Sequence, residues 1–133
     1  MSKTAAAGIA LCASSLASAI PAEAADTYGG CGNESLCVYQ NISGGGARLS
    51  IPISSFKKSG WVNLTGRWFN NGLNANDQVS SVWVHSSSAC VTFTTDINGG
   101  GQAWGMGYAL GGKADSVPYN DQFSSFKYDN CTG

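Results

Sequence analysis

The chain has 133 residues, of which only 11% are charged, against about 25% in an ordinary soluble domain. It has 7 Lys plus Arg and 8 Asp plus Glu, so its formal net charge is −1. A near-neutral chain with so few cations lacks the positive surface that nucleic acids and anionic membranes attract. The composition excludes a nucleic-acid binder of the basic type, and we expect a monomer with neither nucleic acid nor membrane as a partner.

Residues 1–25 have the three-part layout of a secretory signal peptide. A positive start at Met1–Lys3 precedes the alanine-rich apolar stretch Thr4–Ile20, and Pro21–Ala25 supplies the small residues that signal peptidase requires. The apolar stretch is short and interrupted by serines, which makes it a poor membrane span. We therefore predict a secreted, extracellular protein whose mature part, residues 26–133, is one single-core domain.

The mature sequence is typical of an all-β fold. No stretch shows a sustained apolar period of 3.6 residues, and glycines and Asn/Asp clusters interrupt the chain at short intervals. Strands are predicted, in chain order, at Leu36–Tyr39, Val79–Val84, Cys90–Phe93 and Phe123–Tyr128. Short strands separated by turn residues at this spacing indicate a β-sandwich or a β-barrel.

The cysteine content predicts two disulfides. Cys12 lies in the signal peptide, and the four cysteines that remain are Cys31, Cys37, Cys90 and Cys131. In a small secreted domain such a set indicates two bridges, with three connectivities available. We favour Cys31–Cys37, which closes a short loop, and Cys90–Cys131, which ties a mid-chain strand to the terminus. A zinc site is disfavoured because the spacings fit no compact finger and His85 is the only histidine.

Two motifs recur in the same order along the chain. The stretch Cys37–Gly46 returns as Cys90–Gly101, with two additional residues in the second copy, and Asn76–Val82 returns as Asn120–Phe126. The recurrence predicts a duplicated unit, with repeat one at about residues 36–86 and repeat two at about 89–131. A unit of this size cannot bury its own apolar face, so the two should pack around a shared core. The first repeat carries an insertion that we place within Phe56–Asn74.

The repeated elements resemble the βγ-crystallin Greek-key motif. An aromatic strand leads into a glycine-rich hairpin, and a polar box, Asn-Asp-Gln-x-Ser-Ser, follows further along. Residues Cys31–Tyr39 also resemble the opening of peptidase inhibitor family I36, the Streptomyces-type metalloproteinase inhibitors. The resemblance implies a disulfide-bonded, crystallin-like β-sandwich of two Greek-key motifs.

The resemblance further implies calcium as a cofactor, bound weakly by the two boxes. In such boxes the second side chain, the third carbonyl and the fifth hydroxyl are ligands, and a hairpin of the partner repeat adds a main-chain oxygen. Carried over, one site uses Asp77, Gln78 and Ser80, completed around Thr95 and Asp96, and the other uses Asp121, Gln122 and Ser124, completed near Gln40 and Asn41. One carboxylate per box suits a Kd of about 10⁻⁵ to 10⁻³ M. The alternative is that these residues only stabilise turns, without an ion.

Membership of the inhibitor group would imply a secreted protease as partner and Cys90–Val91 as the reactive bond. The chain departs from that pattern because the partner cysteine expected a few residues onward is absent. Two alternatives stay open, a calcium-stabilised structural or surface-binding module that exposes Trp61 and Trp68, and a killer-toxin-like antimicrobial protein. An enzyme is disfavoured, since His85 is the only histidine base and oxidised cysteines offer no thiol nucleophile.

Overall fold

The computed structural model describes residues 28–107 and 112–131, so the predicted signal peptide lies outside the described residues. Within these ranges the regular elements are β-strands and short 3₁₀ turns. The strands in chain order are β1 (Ser35–Tyr39), β2 (Arg48–Pro52), β3 (Val62–Asn63), β4 (Ser81–His85), β5 (Ala89–Thr94), β6 (Ala103–Gly107), β7 (Lys113–Ala114) and β8 (Ser125–Asn130). None of the helical turns described is long and apolar enough to cross a bilayer.

The strands form two four-stranded antiparallel sheets. Sheet 1 has the order β2-β1-β4-β7 and sheet 2 the order β3-β8-β5-β6. Three strands of each sheet come from one repeat, and the fourth, a two-residue strand, comes from the other: β3 of the first repeat joins sheet 2 and β7 of the second joins sheet 1. This arrangement confirms the predicted sandwich of two Greek keys and interlocks the repeats.

A shared core explains why neither repeat is self-sufficient. Phe93 and Phe126 of the second repeat are fully buried, with ring centroids 6.0 Å apart. Phe56, at the start of the predicted insertion, packs edge-on against Phe126 at 5.0 Å. Aromatic side chains each bury about 150–250 Å², so this aromatic cluster, to which both repeats contribute, supplies much of the apolar burial that holds the sheets together.

Strand β1 is buried on both faces, which a sandwich of two sheets alone would not produce. Leu36 and Val38 belong to the core between the sheets, as the two-residue period of a strand requires. Cys37 and Tyr39 face outward yet are at most 1% exposed. The segment 28–34, which we call the N-terminal arm, covers them through the Cys31–Cys37 disulfide and an edge-to-face contact of Tyr28 with Tyr39.

Both favoured disulfides, Cys31–Cys37 and Cys90–Cys131, are present. The alignment of the repeats based on cysteines is nevertheless wrong. The backbone of the hairpin at Ser43 matches that at Asn98, with φ of 54° and 56°, which is an offset of 55 without any gap. Cys37 therefore corresponds to Thr92 and not to Cys90, and the second copy has no additional residues in this hairpin.

Candidate metal centre

The two polar boxes meet at the junction of the repeats. Asp77 and Asp121 occupy equivalent left-handed positions, both with φ of 59°. The Asp77 amide donates to the Phe123 carbonyl at 2.9 Å, and the Asp121 amide donates to the Val79 carbonyl at 3.0 Å. These reciprocal bonds bring each aspartate beside the serine of the other box.

The side chains of the boxes cross in the same way. Ser80 Oγ donates to Asp121 Oδ1 at 3.0 Å, and Ser124 Oγ donates to Asp77 Oδ1 at 3.2 Å. Sequence analysis grouped each aspartate with the serine of its own box. In the structure each aspartate instead contacts the serine of the other box. The reason is that the main chains of the two boxes are hydrogen-bonded to each other.

The hairpins fix the position of each serine. The Ser80 amide donates to the Tyr39 carbonyl and the Ser124 amide donates to the Thr94 carbonyl, both at 2.9 Å. Ser80 therefore lies at the end of β1, next to Gln40, and Ser124 lies at the end of β5, next to Thr95.

Two equivalent groups of oxygen atoms result. We name them the Gln40 cluster (Gln40, Gln78, Ser80 and Asp121) and the Thr95 cluster (Thr95, Gln122, Ser124 and Asp77). Ser80 brings Asp121 near Gln40, and Ser124 brings Asp77 near Thr95. The serine that accompanies each aspartate comes from the opposite box to the one expected.

The main-chain oxygens of these clusters are available to a ligand. The carbonyls of four residues accept no hydrogen bond from the described part of the chain, namely Gln40, Gln78, Thr95 and Gln122. The two aspartates are exposed, whereas Ser80 and Ser124 are only 5% and 6% exposed. Each cluster thus combines a solvent-facing carboxylate with a fixed hydroxyl and unpaired carbonyls, a donor set that suits a hard cation such as Ca²⁺.

The charge around the clusters is consistent with this donor set. No Lys or Arg in the described ranges pairs with Asp77 or Asp121. The described residues also contain no group of three or more His, Cys, Asp and Glu that could hold a metal. A cation at either cluster would depend on a single carboxylate and otherwise on neutral oxygens.

The last serine of each box has a separate, structural role that sequence analysis missed. Ser81 Oγ donates to the Asn41 carbonyl at 2.6 Å and accepts from the Gly44 amide at 2.8 Å. Ser125 makes the equivalent pair of bonds with Asp96 and Gly99. These serines clamp the folded hairpins, and the doubled Ser-Ser in each box is the sequence signal that could have revealed two different tasks.

The suggested reactive bond Cys90–Val91 is incompatible with the structure. It lies within β5, which is hydrogen-bonded to β8 on one side and to β6 on the other. The Val91 side chain is 0% exposed. A protease can bind this bond only after the central strand of sheet 2 has been removed, so the bond is not a reactive site.

The tryptophans divide into two groups. Trp61 and Trp68 are 36% and 55% exposed, as predicted for the insertion. Trp104 packs against the core, with its ring stacked on Phe123 at 5.9 Å. Trp83 lies half-buried on the outer face of sheet 1, stacked on His85 at 4.0 Å. His85 is thus held in a packing role.

Comparison with solved structures identifies the class of fold. A βγ-crystallin from Ciona intestinalis superposes with a TM-score of 0.52 at 20% identity, over 71% of this chain and 99% of that chain. A double mutant of a βγ-crystallin domain from Clostridium beijerinckii superposes with a TM-score of 0.54 at 26% identity, over 72% of this chain and 97% of that chain. A βγ-crystallin domain from Flavobacterium johnsoniae superposes with a TM-score of 0.51 at 20% identity, over 74% of this chain and 97% of that chain. The protein therefore has the βγ-crystallin fold.

Comparison of the sequence with protein-family models identifies the family of the chain. The model of peptidase inhibitor family I36 matches residues 24–106, and the chain belongs to this family. A search among curated proteins gave no significant match.

Proposed function

We propose that this family I36 protein is secreted and binds calcium weakly at two sites, the Gln40 cluster and the Thr95 cluster. The observation that carries the proposal is the set of carbonyl oxygens that accept no hydrogen bond from residues 28–107 and 112–131, together with the crossed Asp–Ser pairs. The four residues that carry these carbonyls are exposed or half-buried, so their carbonyls can be reached by a cation from solvent, and Ca²⁺ binds carbonyl, hydroxyl and carboxylate oxygens. The same arrangement occurs twice, so chance exposure of one carbonyl does not account for it.

The affinity should be modest. Each cluster offers one carboxylate and neutral oxygens, which corresponds to a Kd of about 10⁻⁵ to 10⁻³ M. An ion that binds only the folded state stabilises it by about 2.7 kcal/mol at ~100 times Kd. Extracellular calcium would therefore act as a stabiliser of the hairpins and boxes. The two disulfides support an extracellular location, because such bonds persist in oxidising compartments.

Titration calorimetry and thermal unfolding of residues 26–133 test the proposal. We expect two sites for the wild type and one site each for Asp77→Asn and Asp121→Asn, since either change removes one carboxylate while keeping the side-chain shape. Glu34→Gln removes a similarly exposed carboxylate that bonds Ser86 and should leave both sites intact. Neither heat nor a thermal shift at about 10 mM calcium, above the expected Kd, would reject calcium binding.

A second function, inhibition of a secreted protease, is supported by membership of the peptidase inhibitor family. The protein is rigid, with two interlocked sheets and two disulfides, and rigid inhibitors lose little ordering entropy on binding. Incubation of the mature protein with thermolysin and with subtilisin tests this function. Unchanged activity of both proteases at micromolar inhibitor would remove it, while calcium binding would be unaffected by that result.

A further inference from the structure

The insertion in the first repeat forms a small hairpin at residues 67–75, which we call the Trp68 hairpin. The Ala75 amide donates to the Arg67 carbonyl at 2.9 Å, and the Phe69 amide donates to the Leu73 carbonyl at 2.8 Å. Trp68 and Asn74 form an antiparallel bridge between these two bonds. The extended backbone is therefore fixed on both sides of the turn.

The Trp68 hairpin is also anchored to the body of the domain. The Phe69 side chain is 2% exposed and belongs to the core. Arg48 on the edge strand β2 exchanges two bonds with Asn70: its amide donates to Asn70 Oδ1 at 3.0 Å, and its carbonyl accepts from the Asn70 amide at 2.8 Å. Few internal motions remain for this hairpin to lose on binding a partner.

Two of the side chains that the Trp68 hairpin presents to solvent are large and apolar, and they stand beside the exposed amides of Asn70 and Asn71. Trp68 is 55% exposed and Leu73 is 51% exposed. Arg67 is the only charged residue of the hairpin. Folding gains little from leaving a tryptophan and a leucine outside, whereas tryptophan is strongly enriched among the residues that dominate binding energy at interfaces.

We propose that the Trp68 hairpin is the surface that contacts a protease, with Trp68 and Leu73 inserted into apolar subsites of its active-site cleft. This inference rests on the inhibitor function proposed above. An exposed strand pair fixed by its own hydrogen bonds can enter a concave cleft, and its rigidity reduces the entropic cost of association. The family supplies the class of partner, and the burial of Cys90–Val91 requires that the contact lie elsewhere.

The test compares inhibition constants of wild type, Trp68→Ala and Leu73→Ala against thermolysin and subtilisin at fixed calcium. We expect each substitution to weaken inhibition about 10- to 100-fold, as for anchor residues of interfaces. Ile97→Ala is the matched control, because Ile97 is also 50% exposed but lies on the hairpin of the second repeat. It should change inhibition by less than about twofold. Equal thermal midpoints would show that all variants are folded.

The outcomes distinguish the assignment of the Trp68 hairpin as the contact surface from the inhibitor function on which it rests. Inhibition by the wild type that both hairpin variants retain in full would overturn the assignment of the surface and leave the inhibitor function standing. A wild type that inhibits neither protease removes both. Sedimentation of the same proteins covers self-association: a dimer that Trp68→Ala abolishes would assign the surface to a second copy and overturn the protease contact.

Discussion

The two folded hairpins are alike on the side that faces the Gln40 and Thr95 clusters and differ on the other side. In both, a box serine clamps the hairpin and a glycine with positive φ, Gly44 or Gly99, closes it. Tyr28 of the N-terminal arm packs against Gly44, whereas the indole of Trp61 packs against Gly99. The serine clamp and the closing glycine are thus duplicated, whereas the residue that packs against this glycine differs between the repeats.

The difference predicts that the two clusters respond to different perturbations. The brace of the first hairpin depends on the Cys31–Cys37 disulfide, which holds the arm on sheet 1. The brace of the second depends on the segment that leads into β3. Burial and a hydrogen bond to Asp115 raise the pKa of the Tyr28 hydroxyl well above its usual range, so the neutral phenol is the form that holds the arm.

Removing each disulfide gives the largest expected effect. The bridges span sequence separations of 6 and 41 residues, so the chain-entropy model gives a loss of about 2 kcal/mol for Cys31→Ser/Cys37→Ser and about 4 kcal/mol for Cys90→Ser/Cys131→Ser. Denaturant unfolding measures both. Only the first pair should also weaken calcium binding at the Gln40 cluster. Equal calcium affinities in the two variants would contradict the separate bracing of the hairpins.

Substitution of the hairpin glycines should have the next largest effect. A side chain at Gly44 meets the backbone nitrogen of Tyr28, and one at Gly99 meets the Trp61 ring. Alanine costs about 1–2 kcal/mol for the left-handed backbone alone, and we expect about 2–4 kcal/mol in total, with Gly44→Ala the worse because main chain yields least. Gly60→Ala is the control, since Gly60 has φ of 76° and open space around it. It should lose only the backbone contribution.

The crossing of the boxes is expected to give the smallest signal. A double-mutant cycle between Ser80→Ala and Asp121→Ala in chelator should yield a coupling energy of about 0.5–1 kcal/mol. The cycle between Ser80→Ala and Asp77→Ala should give a value near zero, because those two side chains share no hydrogen bond. A larger coupling energy between Ser80 and Asp77 than between Ser80 and Asp121 would contradict the crossed pairs and support the grouping of each aspartate with the serine of its own box.

The sequence was sufficient for the features that local patterns determine. The spacing of short strands and turn residues predicted a sandwich or a barrel, and the resemblance of the repeated motifs to βγ-crystallins favoured the sandwich. The short spacing of Cys31 and Cys37 favoured the disulfide between them. The exchange of partners between Asp77 and Asp121 could not be predicted, because it depends on how two distant boxes bond to each other.

The repeat alignment was wrong because it paired Cys37 with Cys90 by residue identity. The backbone shows that Ser43 corresponds to Asn98, and this correspondence pairs Cys37 with Thr92. The reactive bond Cys90–Val91 was implied by the resemblance to the inhibitors, and the pairing of β5 with β6 and β8 excludes it.

If the protein is exported, as proposed above, the short strand that each repeat contributes to the opposite sheet has a consequence for its folding. Sheet 1 is incomplete until Lys113–Ala114 arrive, and Cys90 has no partner until Cys131 does. Contacts so distant along the chain make early folding slow. A chain threaded through a translocon should thus stay unfolded until nearly its whole length has crossed, and should fold and oxidise only after release.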